Sequence, residues 1–125
     1  MNNISSPRTD GAGIEQEIQA KGKTAARVTP ADIEASIASE HYFTASDGVY
    51  GAGNGVAKER PGALSLLTFC VLVLQNGFTV TGESACASRE NFDPEIGKKV
   101  ARENAKQKLW PLLGYELKTK IFHLS

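Results

Sequence analysis

Lys98, Arg102 and Lys106 recur every four residues, the spacing that lines side chains along one side of an α-helix. Lys99 lies beside them and Arg89 just upstream. Cations so placed can hold phosphates, either along a nucleic acid or on a small nucleotide. The same stripe is what an amphipathic helix turns to water while its other side packs, and Glu95 and Glu103 offset part of its charge. The preceding run, Gly82-Glu83-Ser84-Ala85-Cys86-Ala87-Ser88-Arg89, is small and polar and leads into a helix start. Free backbone N–H groups there attract an anion, and Arg89 can add a charge-assisted bond. Asp93 competes for that start as its cap.

Other chemistry finds less support in the residues. Cys70 or Cys86 would need a nearby histidine to become a nucleophile. The two histidines, His41 and His123, have no visible orienting partner, and these four residues lack metal-ligand spacing. Gly51-Ala52-Gly53-Asn54-Gly55 invites a phosphate-loop reading, but no strand precedes it and no Gly-Lys-Ser/Thr follows. A surface loop is the expectation. Trp110 and Tyr115 can stack a base, although packing at a helix kink accounts for them as well. The chain therefore reads as a non-enzyme with no cofactor and no metal.

The totals bound the class. With 125 residues, the chain can bury a core without disulfides or metal. Lys+Arg and Asp+Glu are both 14, so a charge argument must rest on local clustering. Met1 to Gly13 is polar, without an apolar targeting segment, and is expected to be disordered. The longest apolar run, Leu66 to Leu74, is far too short to span a membrane. A cytoplasmic location in a host cell, with reduced thiols and no membrane partner, is the expectation.

The elements that position these residues follow from local pattern. Ile14 to Lys21 reads as a short helix stopped by Gly22. Thr29-Pro30-Ala31-Asp32 caps a helix expected to run to His41. Ser46 to Gly62 is glycine-rich and reads as a loop. Asn76-Gly77 between strand formers predicts a hairpin with a two-residue type I′ turn. That turn sets Gln75 opposite Phe78, Cys70 opposite Glu83 and Cys86 opposite Leu67. The cysteines then lie on opposite faces, roughly 10 Å apart along the strands at ~3.3 Å per residue, beyond the reach of a disulfide. Leu67, Phe69, Val71, Val73, Phe78 and Val80 form the expected core face. Cys70, Leu72 and Leu74 form a second apolar stripe, which a partner or a second copy could cover. Asp93-Pro94-Glu95 starts a long helix whose Ile96, Val100, Ala101, Ala105, Leu109 and Leu112 should pack on the hairpin. Pro111 should end or kink it, and the pattern leaves Tyr115 to Leu124 open between strand and helix. The expected fold is α+β: N-terminal helices, an antiparallel hairpin and a long C-terminal amphipathic helix packed on it, in a single domain over residues 14–125.

Leu67-Thr68-Phe69-Cys70-Val71-Leu72, with Asn76-Gly77-Phe78-Thr79-Val80-Thr81-Gly82-Glu83-Ser84-Ala85-Cys86, resembles the gene-product-49/66 family of small phage and prophage proteins. Asn91-Phe92-Asp93-Pro94-Glu95-Ile96-Gly97 and Lys108-Leu109-Trp110-Pro111-Leu112-Leu113-Gly114-Tyr115 share the likeness, as do Val28-Thr29-Pro30-Ala31-Asp32-Ile33-Glu34 and Glu40-His41-Tyr42-Phe43-Thr44. The likeness runs from about Ile14 to Ile121. It implies a phage or prophage accessory region and transfers no catalytic residue. The expected function is a non-enzymatic accessory protein that binds a host component, in host takeover or counter-defence. Two alternatives use Arg89, Lys98, Lys99, Arg102 and Lys106. One is an oligomeric sponge for cyclic-nucleotide immune signals; the other is a nucleic-acid binder. The expected partners are accordingly a host protein or a small nucleotide, with a homo-oligomer allowed through Cys70, Leu72 and Leu74.

Overall fold

A computed structural model describes residues 11–23, 25–53 and 62–125. In chain order its elements are α1 (Gly11–Ala20), α2 (Pro30–Ala35), β1 (Ile37–Thr44), α3 (Ala45–Ala52), a 3₁₀ turn (Ala63–Leu66), β2 (Leu67–Leu74), β3 (Thr79–Ala85), a 3₁₀ turn (Arg89–Asn91), α4 (Pro94–Gln107) and α5 (Leu109–Leu124). The fold is α+β. The described residues form two compact units, one within Ser36–Leu109 and the other from residues up to Ala35 together with Trp110–Ser125.

The Ser36–Leu109 unit is built on an antiparallel sheet of order β1-β2-β3. The hairpin of β2 and β3 is as expected, and β1 is a further strand. The helix begun at Thr29 ends at Ala35, and the segment expected to continue it to His41 becomes a strand. Glu40-His41-Tyr42-Phe43-Thr44 has the aromatic and β-branched content of a strand, and pairing with β2 overrides its weak helical spacing. A hydrogen bond from the Gln75 N–H to the Ser36 carbonyl, 2.9 Å, ties the start of β1 to the hairpin end. Thr44 then caps α3 reciprocally with Asp47: the Asp47 N–H donates to Thr44 Oγ1 and the Thr44 N–H to Asp47 Oδ2. Residues 46–52 of the expected glycine-rich loop are thus helical, because a capping box outweighs their glycine content. Residues 54–61 of that loop lie outside the described residues, as do residues 1–10 of the expected tail, while α1 already includes 11–13.

The hairpin turn differs by one residue from the expected form, with a large consequence. The Leu74 N–H donates to the Phe78 carbonyl at 2.8 Å, and the Gly77 N–H to the Leu74 carbonyl at 2.9 Å. Asn76 Oδ1 accepts from the Phe78 N–H, and Gly77 takes φ +88°. Gln75, Asn76 and Gly77 therefore form a three-residue loop with a left-handed glycine at its end, not a two-residue type I′ turn. Cys70 faces Gly82 rather than Glu83, and Leu67 faces Ala85 rather than Cys86. A slip of one residue exchanges the two faces of a strand. Accordingly Thr68, Cys70, Leu72 and Leu74 are the buried residues of β2, joined by Val80 and Gly82 of β3. Leu67, Phe69, Val71 and Val73, expected as the core, are half-buried, and Phe78 is exposed. Cys70, Leu72 and Leu74 form no outer surface for a partner. Cys86 lies four residues beyond Gly82, so the cysteines are separated by distance along the ribbon, ~13 Å at ~3.3 Å per residue, rather than by facing opposite ways. Both are free, and the Cys86 thiol donates to the Ser88 carbonyl.

Helix α4 covers the buried face. Asp93 Oδ1 accepts from the Glu95 and Ile96 N–H groups, and Pro94 occupies the first turn. Its packing side is a ridge of small residues, Gly97, Ala101 and Ala105, followed by Leu109. Ile96 and Val100, expected on that side, are exposed. The reason is the closeness of the backbones. A Cβ built on Gly82 would lie 2.3 Å from the Ala101 carbonyl oxygen and from the Ala105 nitrogen. At that approach a large aliphatic on the ridge has no room. Gly97 is similarly close, its Cβ position 3.0 Å from Thr68 Oγ1.

The other unit contains α1, α2 and α5. α1 ends as expected at Gly22. The Lys23 N–H reaches back to the Ile18 carbonyl and the Gly22 N–H to the Gln19 carbonyl, with Gly22 at φ +68°. Glu15 on α1 accepts two bonds from Arg27, at 2.6 and 2.8 Å, and one from Gln19. α2 opens with a reciprocal Thr29–Asp32 cap, and its Ile33 is buried. As expected near Pro111, the long helix begun at Asp93 ends, at Gln107, and Lys108 separates it from α5. Pro111 cannot donate to the Gln107 carbonyl, and it lies in the first turn of α5, where its missing N–H has no partner within that helix to lose. Residues 115–124, left open between strand and helix, continue α5.

Two predictions follow from this packing. Gly82→Ala should destabilise the protein by about 1–3 kcal/mol through overpacking, whereas Gly51→Ala in α3, whose Cβ would meet nothing within 4 Å, should be neutral or mildly stabilising. Urea denaturation of the full chain reads both. The Arg27 guanidinium holds Glu15 at about 2, against an ordinary 4.5. A depressed carboxyl contributes its stability above the unfolded value and loses it as pH falls through the folded one. Hydrogen-exchange protection of α1 should therefore hold down to about pH 4.5 and decline from there to about pH 2; Glu15→Gln should remove that dependence.

Candidate functional site

The residues expected to form one basic site are divided by the fold. Lys98, Arg102 and Lys106 do share one flank of α4, and the fold turns that flank toward β1. Arg102 Nε donates to Glu40 Oε2 at 2.9 Å. Lys98 lies 4.0 Å from Glu95 and 6.0 Å from the centre of the Tyr42 ring. Lys106 lies 3.8 Å from Glu103. Lys99 is on the exposed side of the helix. Arg89 is elsewhere, in the turn before α4, with its guanidinium 2.6 Å from the position of a Cβ on Gly62. The helix N-terminus offered as an anion site is occupied by the Asp93 carboxylate.

The flank is therefore a mixed cluster, and two of its members escaped sequence reading. Glu40 and Tyr42 alternate along β1 on the side facing α4. The Tyr42 hydroxyl donates to Glu40 Oε1 at 2.9 Å, so Glu40 bridges Tyr42 and Arg102. Tyr42 pairs across the sheet with Cys70. Burial, then the Glu40 carboxylate, push the Tyr42 hydroxyl far above its ordinary value of 10. Burial likewise pushes the Cys70 thiol up, away from the reactive thiolate. The signal for this cluster was the period-two alternation of Glu40 and Tyr42, visible only once residues 37–44 are read as a strand.

The opposite face of the sheet carries the other candidate. Phe43 stacks on Phe69 with ring centres 5.4 Å apart, and α3 approaches this corner at Gly48. Val71 and Val73 continue the stripe along β2. Ser39 and His41 border it on β1, sharing a 3.0 Å hydrogen bond. Exposed Thr79, Thr81 and Glu83 border it on β3. In the other unit, Trp110 is half-buried, Tyr115 is exposed, and His123 stands edge-on to the Phe122 ring. Among the described residues no group of three or more His, Cys, Asp or Glu is arranged to hold a metal ion, and no helix is long and apolar enough to cross a membrane.

Tyr42 supplies a direct check of the cluster. A raised phenol favours the folded state below pH 10 and ceases to do so as pH climbs from there through the folded value. In an ultraviolet tyrosinate titration, one late-ionising group should disappear in Tyr42→Phe. In Glu40→Gln it should ionise earlier, still above 10 because burial remains.

Comparison with curated proteins and with solved structures gives no match. A family model matches residues 28–121, which span β1, the hairpin, α4 and most of α5. The chain belongs to the phage protein (N4 Gp49/phage Sf6 gene 66) family.

Proposed function

We propose that this chain is a phage-encoded accessory protein that acts by binding a host protein, in takeover or counter-defence, without a catalytic step of its own. Family membership supplies the phage context. The observation that carries the mode of action is the sheet face turned away from α4, whose β2 residues are half-buried and whose Phe43 is exposed. Leu67, Phe69, Val71 and Val73, with Phe43, make an apolar stripe between two polar borders. Apolar surface rimmed by polar residues is the usual make-up of a protein-binding patch.

The cyclic-nucleotide sponge and the nucleic-acid binder draw less support. Arg102 is held by Glu40, Lys106 lies against Glu103 and Lys98 against Glu95. Arg89 is not part of the flank. These carboxylates offset part of the positive charge a phosphate would meet, although the Lys98–Glu95 and Lys106–Glu103 pairs, whose carboxylates are exposed, are weak.

Capture from host lysate, followed by binary binding with the captured protein in purified form, tests the reading. Thr81→Arg on the exposed border and Val71→Lys on the stripe should each weaken binding by about tenfold or more, with circular dichroism unchanged. Absence of a specific partner, or one indifferent to both substitutions, would overturn it. Calorimetric heat with cyclic di- or trinucleotides that vanishes in Lys98→Ala and Lys106→Ala would establish the sponge instead. A salt-dependent gel shift would establish the nucleic-acid binder.

A further inference from the structure

Helix α5 is apolar on two opposite sides. Trp110, Leu113 and Leu117 lie on one side and are half-buried. Leu112, Tyr115 and Phe122, with Thr119 between the last two, lie on the other at spacings of three and four residues. This second row is open: Tyr115 is 77% exposed, Phe122 69% and Leu112 39%. A helix with apolar residues on both sides belongs in an interior. It also lacks the one-sided polar character of a helix that lies on a membrane surface.

We propose that this row pairs with the same row of a second copy of the chain, the two α5 helices running antiparallel. Charge decides the orientation. Glu116 and Lys120 lie along one border of the row, 3.8 Å apart in the single chain. An antiparallel pair brings the same border of both helices together. With the two-fold axis near Lys118 and Thr119, Tyr115 meets Phe122 of the second copy, and Glu116 meets Lys120 of the second copy. Each happens twice. A parallel pair instead sets this border against the opposite one, which carries Lys118 and no carboxylate. A helix of 16 residues is ~24 Å long at ~1.5 Å per residue. The contact is therefore small, and the association depends on concentration. It is independent of the host-binding reading, which uses the sheet face of the other unit.

Sedimentation equilibrium of the full chain across a wide concentration range should show a monomer–dimer equilibrium. Phe122→Glu and Tyr115→Glu, both at exposed positions, should each raise its dissociation constant by about tenfold or more without changing the circular dichroism. Glu116→Lys should weaken the dimer, and adding Lys120→Glu should restore it. In a Cys86→Ser background, a short bismaleimide should link two copies through Thr119→Cys, next to the axis, and not through Leu112→Cys, far from it. A monomer at every concentration, or a dimer unmoved by both glutamates, would overturn the proposal. Equal linking at the two cysteine positions would do the same. So would binding to anionic vesicles by a monomer, lost in Phe122→Glu, since it would assign the row to a lipid surface.

Discussion

The Ser36–Leu109 unit depends on one close approach, where the backbone of α4 passes over Gly82 of β3 with no space for a side chain between them. Everything on the packing side of α4 answers to that distance. The ridge must be Gly97, Ala101 and Ala105, and the larger Ile96 and Val100 are turned outward. The rotation of the helix then sets its flanks. Arg102 reaches Glu40 on β1, while Asn104 donates to the Glu83 carbonyl on β3 at 2.8 Å. Small residues here do not mark a weak contact. They let two backbones share close packing that long side chains would hold apart.

The second determinant is the hairpin turn. A three-residue loop, fixed by the left-handed Gly77 and the Asn76 side chain, selects which face of β2 meets α4. The selected face carries Thr68, Cys70, Leu72 and Leu74, and it is the only face on which Gly82 lies between them and the helix. The turn and the glycine therefore agree: the register that the three-residue loop sets is the one that puts Gly82 beneath α4. The apolar residues of the other face, Phe69, Val71 and Val73, are left half-covered as a consequence of the same choice.

These constraints bear directly on function. Arg102, one of the cations that looked like a phosphate site, becomes part of a network of carboxylate, phenol and guanidinium along the β1 side of α4. Such a network fixes the helix against the strand as much as it offers charge to a ligand. Among the described residues, apolar side chains are half-buried on the sheet face of one unit and exposed on α5 of the other.

By itself the sequence determined the local elements that rest on neighbouring residues. The Asp93-Pro94 start of α4, the Thr29-Pro30 start of α2, the Gly22 stop of α1 and the hairpin at Asn76-Gly77 are all legible, because a cap or turn is made by atoms a few residues apart. The family likeness was legible on the same strings of residues. Tertiary structure decided the rest. β1 became a strand because β2 had an edge to pair. α3 formed within glycine-rich sequence because Thr44 was delivered to its cap by that strand. The buried face of the hairpin turned on a one-residue difference in loop length, to which side-chain alternation is blind, since both faces of β2 are apolar. The bridging of Tyr42 and Arg102 by Glu40 joins residues 62 apart in the chain, so no local spacing could announce it. The basic stripe was visible from its spacing, but its meaning was not, because the fold decides which carboxylates stand beside each cation.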